Sequence, residues 1–225
     1  MTALAFLRGP VDLAIMQFMH EHRFGLARQI ASKVGKLGDS AGWLGFSGLL
    51  WFCGSRFSRP RVPAHRARYI FSSVALSGLL AIVLKLAFGS ARPREVLAAG
   101  NYGFHWLAGA HQHQLQAFPS GHTTTVFALA ASFGLIWPRC RALGFGIALL
   151  VGIARVVTVS HFPSDIVAGA SLGSGTALYL YPGAQARIAC CPLWARYRSR
   201  LAQRAAGAAT PDLVASVVQA QESRP

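Results

Sequence analysis

The chain has 225 residues, of which 53% are hydrophobic and only 13% charged, and its mean hydropathy is +0.39. A soluble domain carries roughly 25% charged residues, so the composition argues against a soluble globular protein and for a membrane one. The formal net charge of +15 does not indicate nucleic acid, because the 19 arginines and three lysines gather between apolar runs rather than along one solvated face; anionic lipid is the expected partner.

In chain order, "MTALAFLRGP" lacks a long apolar region followed by a small-residue cleavage site, so no removable signal peptide is expected. Residues 11–36 mix apolar positions at helical spacing with His20, Glu21, His22, Arg23 and Arg28, the pattern of an amphipathic helix lying at the membrane interface. Apolar stretches follow at 41–54, 69–89, 123–138, 142–160 and 165–182, giving about five spans. After them, "ARYRSRLAQR" reads as a basic surface helix and the Ala-rich stretch from 205 as a loosely ordered tail. The expected architecture is all-α, a multi-pass transmembrane helical bundle. Its parts are an amino-terminal amphipathic helix (1–40), a membrane core (41–182) and a basic carboxy-terminal segment (183–225). Cys53, Cys140, Cys190 and Cys191 have neither disulfide-framework nor metal-pair spacing and read as core residues.

Loop charge sets the orientation, since short Lys/Arg-rich loops stay on the cytoplasmic side. Arg56, Arg59, Arg61, Arg66 and Arg68, then Arg139 and Arg141, then Arg187, Arg196, Arg198, Arg200 and Arg204 occupy alternate connections. The other connections, 90–122 and 155–165, then face outward, with Lys85, Arg92, Arg94, Arg155, His122, His161 and Asp165 at their edges. Ionisable groups inside spans cost several kcal/mol, so such a gathering on one face marks a functional site.

Three fragments carry the chemistry: "KLAFGSARPRE" with Lys85 and Arg92, "PSGH" at 119–122, and "ARVVTVSHFPSD" with Arg155, His161 and Asp165. A phosphoryl dianion needs cations that do not titrate away, which Lys85, Arg92 and Arg155 supply. In "PSGH", Gly121 lets backbone approach a ligand, and the helix that follows offers free N–H groups and a positive dipole end. An ordinary helix start with Ser120 as N-cap would account for Pro119, Ser120 and Gly121 but not for His122. If Pro163 opens a helix, Asp165 reaches one ring nitrogen of His161 and leaves the other free to attack phosphorus. His122 is then the candidate general acid. His105, His111 and His113 are the competing metal ligands, but the seven acidic residues form no bridging carboxylate cluster, so no metal or other cofactor is expected; with Tyr102 and Trp106 these histidines read as an interfacial rim.

The order Lys-x6-Arg-Pro, Pro-Ser-Gly-His, Arg-x5-His-x3-Asp resembles the type 2 phosphatidic acid phosphatase superfamily, integral membrane lipid phosphatases related to vanadium-dependent haloperoxidases. The resemblance covers about 69–182. It implies a helical bundle and metal-independent hydrolysis through a phosphohistidine. It also implies His161 as nucleophile, Asp165 as its partner, His122 as leaving-group acid, and Lys85, Arg92, Ser120, Gly121 and Arg155 as phosphate contacts. Ala154 stands where the third motif commonly has Ser, and Glu95 follows Arg94 where the first often has Pro; these departures touch substrate range and rate, and Glu95 could salt-bridge Arg94.

The leading reading is a lipid phosphate or diphosphate phosphatase on the outer face of a bacterial inner membrane. Undecaprenyl diphosphate, phosphatidylglycerophosphate, phosphatidic acid and the phosphates of lipid A all fit, and the outward site and short loops favour the polyprenyl diphosphate slightly. The alternative is an anion or lipid transporter using the same basic pocket without chemistry; the apolar inner halves of the spans and the lack of an internal repeat argue against it. A haloperoxidase-like enzyme using bound vanadate would share the cradle but not the apolar spans.

Overall fold

The computed structural model describes residues 9–22, 24–57, 62–100 and 103–189. Among them no strand forms, and the elements are α1 (Pro10–Glu21), α2 (Gly25–Gly35), a 3-10 turn (Lys36–Gly38), α3 (Ser40–Phe57), α4 (Val62–Phe88), α5 (Pro93–Ala99), α6 (Gly121–Ile136), α7 (Arg141–Val157) and α8 (Pro163–Ala189). Each of the five apolar stretches falls mainly within one long helix: α3, α4, α6, α7 and α8. Proline sets several of the starts, at the first turns of α1 and α5 and at residue 163 of α8, where its fixed φ suits a helix start and its missing N–H costs nothing. Gly100, at φ +72, closes α5 by donating to Val96 O at 2.8 Å.

The amino-terminal segment departs from the single amphipathic helix expected over 11–36. It forms two helices, because His22 (φ −84, ψ 88) and Phe24 (φ −68, ψ 79) leave helical geometry ahead of Gly25, a poor helix former. Nor does α1 lie free on its inner side: Asp12 and Met16 are buried, while Val11 and Phe18 point outward.

At the centre is α6, with Thr123–Val126 and Ala128–Ser132 buried. Gly169 and Gly173 let α8 come into backbone contact with α6: a Cβ on Gly173 would run into Thr124 O, and one on Gly169 would sit 2.7 Å from Ser120 O. The "GASLG" run is thus a small-xxx-small stripe that permits close helix approach. Tyr69 Oη donates to Ala177 O at 2.8 Å and ties α4 to α8. Ile70, Val74, Ala128 and Leu129 form one core cluster, and Val126, Ala130, Ala148 and Val151 another.

Among the described residues two segments, Ala64–Phe88 and Pro138–Val157, are long and apolar enough to cross a membrane, with mean hydropathies of 2.1 and 1.9. Leu79, Ile82 and Val83 on α4, Leu143, Leu150 and Ile153 on α7, and Leu49 and Phe52 on α3 are all exposed. A belt of large outward apolar side chains of this kind suits hydrocarbon better than water. The end of α4, the start of α6, the end of α7 and the start of α8 form one end of the bundle. At the other end the Arg66 guanidinium lies 5.5 Å from the Trp137 ring centroid.

Cys140 is exposed in the 138–140 turn and Cys53 is half-buried, so the reading of Cys140 as a core residue is corrected. It sits between two apolar stretches, where the chain reverses at the rim of the bundle. Helix α8 runs past 182 to Ala189. Cys190, Cys191, the basic segment 195–204 and the tail from 205 lie outside the described residues.

Candidate active site

Each of the three fragments delivers its polar residues to the same end of the bundle. Lys85 lies in the last turn of α4, and a Cβ on Gly121 would come 3.3 Å from its Nζ. The ammonium therefore sits over the Pro-Ser-Gly-His turn in room that a side chain at 121 would crowd. Arg92 is the N-cap residue of α5 and Arg155 lies in the last turn of α7. Lys85, Arg92 and Arg155 lie within electrostatic range of one another, and Asp165 of Lys85. Arg155 Nε is buried and has no hydrogen-bond partner among the described residues.

Ser120 precedes α6 but does not cap it with its side chain; Ser120 Oγ accepts from Thr123 Oγ1 at 3.0 Å. The leading N–H groups of α6 are thereby left without a side-chain cap. Ser120 N donates to Asp165 O at 3.1 Å, which fastens the turn before α6 to the first turn of α8.

The third fragment forms the loop between α7 and α8. Asp165, at the third position of α8, reaches back so that its Oδ2 accepts from Phe162 N at 2.9 Å, half of a capping box. The same Oδ2 lies 3.5 Å from His161 Nδ1, and both side chains are buried. This is an ion-pair separation rather than a formed hydrogen bond, and among the described residues Nδ1 has no nearer partner. The arrangement leaves Nε2 as the nitrogen turned away from the carboxylate. Burial holds the His161 imidazole below its ordinary pKa, against the opposing pull of Asp165, and so favours the neutral ring. Within the loop Val159 is fully buried at φ +51, a costly conformation for a β-branched residue and a strain typical of functional turns.

His122 is half-buried, and its electrostatic neighbours are Arg155, His161, Asp39 and Lys85. All eight residues singled out from the sequence, Lys85, Arg92, Ser120, Gly121, His122, Arg155, His161 and Asp165, thus belong to one connected cluster. Other contributors were not legible from spacing. A Cβ on Gly38 would fall 2.8 Å from His122 Cβ, and one on Gly35 would fall 3.4 Å from Arg155 Nη1, so the α2–α3 connection walls the site. Arg94 Nη2 donates to Thr158 O at 2.8 Å, committing the Arg94 guanidinium to the loop between α7 and α8, while Glu95 is exposed. Of the loop histidines, His105 and His111 are exposed; Trp106 is 67% exposed, while Tyr102 and the His113 side chain lie outside the described residues. Among the described residues no group of three or more His, Cys, Asp or Glu side chains is placed to hold a metal ion.

This constellation on an all-helical bundle agrees with the family pattern. The PAP2 superfamily profile matches residues 66–189, more than half of the chain, and the protein belongs to that superfamily. Over 148 residues it is 36% identical to the lipid A 1-phosphatase of Rhizobium johnstonii, an alignment covering 61% of this chain and 59% of that relative's length. Two solved structures share the fold. LpxE of Aquifex aeolicus superimposes with a TM-score of 0.56 at 21% identity, covering 76% of this chain and 94% of that one. A transmembrane PAP2 type phosphatidylglycerolphosphate phosphatase from Bacillus subtilis gives 0.52 at 19%, covering 79% and 86%.

Proposed function

We propose that the protein is a membrane lipid phosphatase that hydrolyses a lipid phosphate without a metal, through a phosphohistidine at His161. The observation that carries this reading is the buried His161–Asp165 pair set among Lys85, Arg92 and Arg155, with a buried Arg155 Nε that lacks a partner among the described residues. Buried polar groups are nearly always satisfied, so an orphaned guanidinium nitrogen beside other cations suits a phosphoryl oxygen.

In this reading Nε2 of neutral His161 attacks phosphorus as the ester P–O bond breaks, and His122 gives its proton to the leaving oxygen. The negative charge brought by the phosphate favours the protonated His122 that this step needs. Asp165 stabilises the charge that develops on His161. In the second half, neutral His122 takes a proton from water, the water oxygen attacks phosphorus, and the P–N bond breaks to release phosphate and restore His161. Lys85, Arg92, Arg155, the Ser120 hydroxyl and the Gly121 amide hold the equatorial oxygens throughout, the Ser120 amide being committed to Asp165 O.

The likeness to a lipid A 1-phosphatase makes a glycosyl phosphate on a lipid A-type anchor the first substrate to test, ahead of undecaprenyl diphosphate, phosphatidylglycerophosphate and phosphatidic acid. The apolar helices support a membrane reading, and with the alternating loop charge we infer five spans in a bacterial inner membrane with the site on the periplasmic face. Purified protein in detergent is assayed for phosphate release from these four lipids, with and without EDTA. Release from the lipid A-type phosphate, unaffected by EDTA, supports the proposal. Loss of release on chelation, restored by a divalent ion, overturns the metal-free mechanism. Anion binding with no release from any of the four lipids favours the transporter.

A further inference from the structure

Helix α1 lies outside the span matched by the family profile, yet it reaches the nucleophile loop. Asp12 is 5% exposed; its Oδ1 accepts from Ser164 N at 3.2 Å and its Oδ2 from Ser164 Oγ at 2.5 Å. Ser164 is the second residue of α8, between Pro163 and Asp165. Asp12 therefore caps from outside the helix whose own third residue faces His161. One turn further along α1, Met16 is fully buried and packs in a single cluster with Val159 and Phe162 of the nucleophile loop and with Ala91 and Val96, which flank Arg92.

Two parts of the site whose ends lie far apart in sequence are thus bridged by one short helix. The bridge lands on the strained Val159 turn and on the first turn of α8. A carboxylate at a helix start is favoured by the dipole and by charge-assisted hydrogen bonds, so this contact is well suited to fix the turn. We propose that Asp12 is a positioning residue for the hydrolytic reaction: by holding Ser164 it sets His161 and Asp165 at a fixed distance from Arg92. The inference rests on the assignment of His161 as nucleophile.

The test uses the full chain in detergent, with Asp12→Ala, Asp12→Asn, Ser164→Ala and the Asp12→Ala/Ser164→Ala pair beside His161→Ala. Phosphate release from the best lipid of the panel is measured per folded protein, with folding checked by a thermal melt. A misplacement near 1 Å costs roughly a hundredfold, so Asp12→Ala is expected to lower kcat by about ten- to a hundredfold with KM little changed. Asp12→Asn keeps one acceptor and should fall between it and wild type. The double variant should lose no more than Asp12→Ala alone. A wild-type kcat in Asp12→Ala and Asp12→Asn, with only a lower melting temperature, overturns the proposal by making the contact purely structural. If Asp12→Ala does not fold, Asp12→Asn and Ser164→Ala decide alone: lowered kcat at unchanged KM supports positioning, and unchanged kcat refutes it. Full turnover in His161→Ala instead removes the functional reading itself, separately from any result at Asp12.

Discussion

Replacing Asp165 by Asn tests the role of the buried carboxylate while keeping its shape. The amide oxygen of the Asp165→Asn variant can still accept from Phe162 N, so the first turn of α8 should survive. What is lost is a full charge 3.5 Å from His161 Nδ1, with neither side chain open to water. At an effective dielectric of about 20, that separation corresponds to about 5 kcal/mol of attraction for a positively charged ring. The amide dipole retains part of it, so the expected loss in kcat is on the order of a thousandfold. The pH profile carries a second, independent sign. As the proposed nucleophile His161 must be neutral to attack, and Asp165 opposes the lowering of its pKa by burial. Removing the charge lowers that pKa further, and the acidic limb of kcat/KM moves to lower pH while the plateau falls. The assay is initial-rate phosphate release across pH 4 to 9, roughly the range in which a histidine titrates. A variant within tenfold of wild type, with its acidic limb unmoved, refutes the argument.

Three other substitutions probe the scaffold and its orientation. Gly173→Ala drives a Cβ into Thr124 O between α6 and α8 and should destabilise the protein by about 1–3 kcal/mol, seen as a lower melting temperature in detergent; an unchanged melt would mean the helices are not packed this closely. Arg155→Lys removes the forked donor while retaining charge, and should weaken inhibition by inorganic vanadate as well as lowering kcat/KM; unchanged vanadate inhibition would take Arg155 out of the anion site. Exposed Cys140 lies at the end of the bundle opposite the site, so a membrane-impermeant thiol reagent applied to intact spheroplasts should label wild type no more than Cys140→Ser, and opened membranes should show the difference. Labelling of Cys140 from outside would invert the proposed topology.

The site was legible wherever a residue was out of place in its stretch. Lys85 and Arg155 interrupt apolar runs, and "PSGH" sets a polar turn at the mouth of one, so their energetic cost made them visible. His161 and Asp165 were paired by helical spacing alone, and the first turn of α8 is formed as that spacing required. The contributions of residues 9–39 were hidden because they act through close approach and distant partners. Gly35 and Gly38 matter for the space they leave to Arg155 and His122, and Asp12 bonds a residue 152 positions away. Composition gave the break between α1 and α2 little signal, since the helical spacing of apolar residues continues across it. Cys140 was misplaced because the apolar stretches on either side of it were weighed above Arg139 and Arg141, which mark the turn that exposes it.

The central claim is that His161 carries the phosphoryl group between two half-reactions. Rapid quenching of the wild-type protein after mixing with phosphate-labelled lipid should trap label on the protein that survives base and is lost in acid, and His161→Ala should trap none. Equal labelling of the His161 variant, or steady turnover by that variant, would contradict the account at its root.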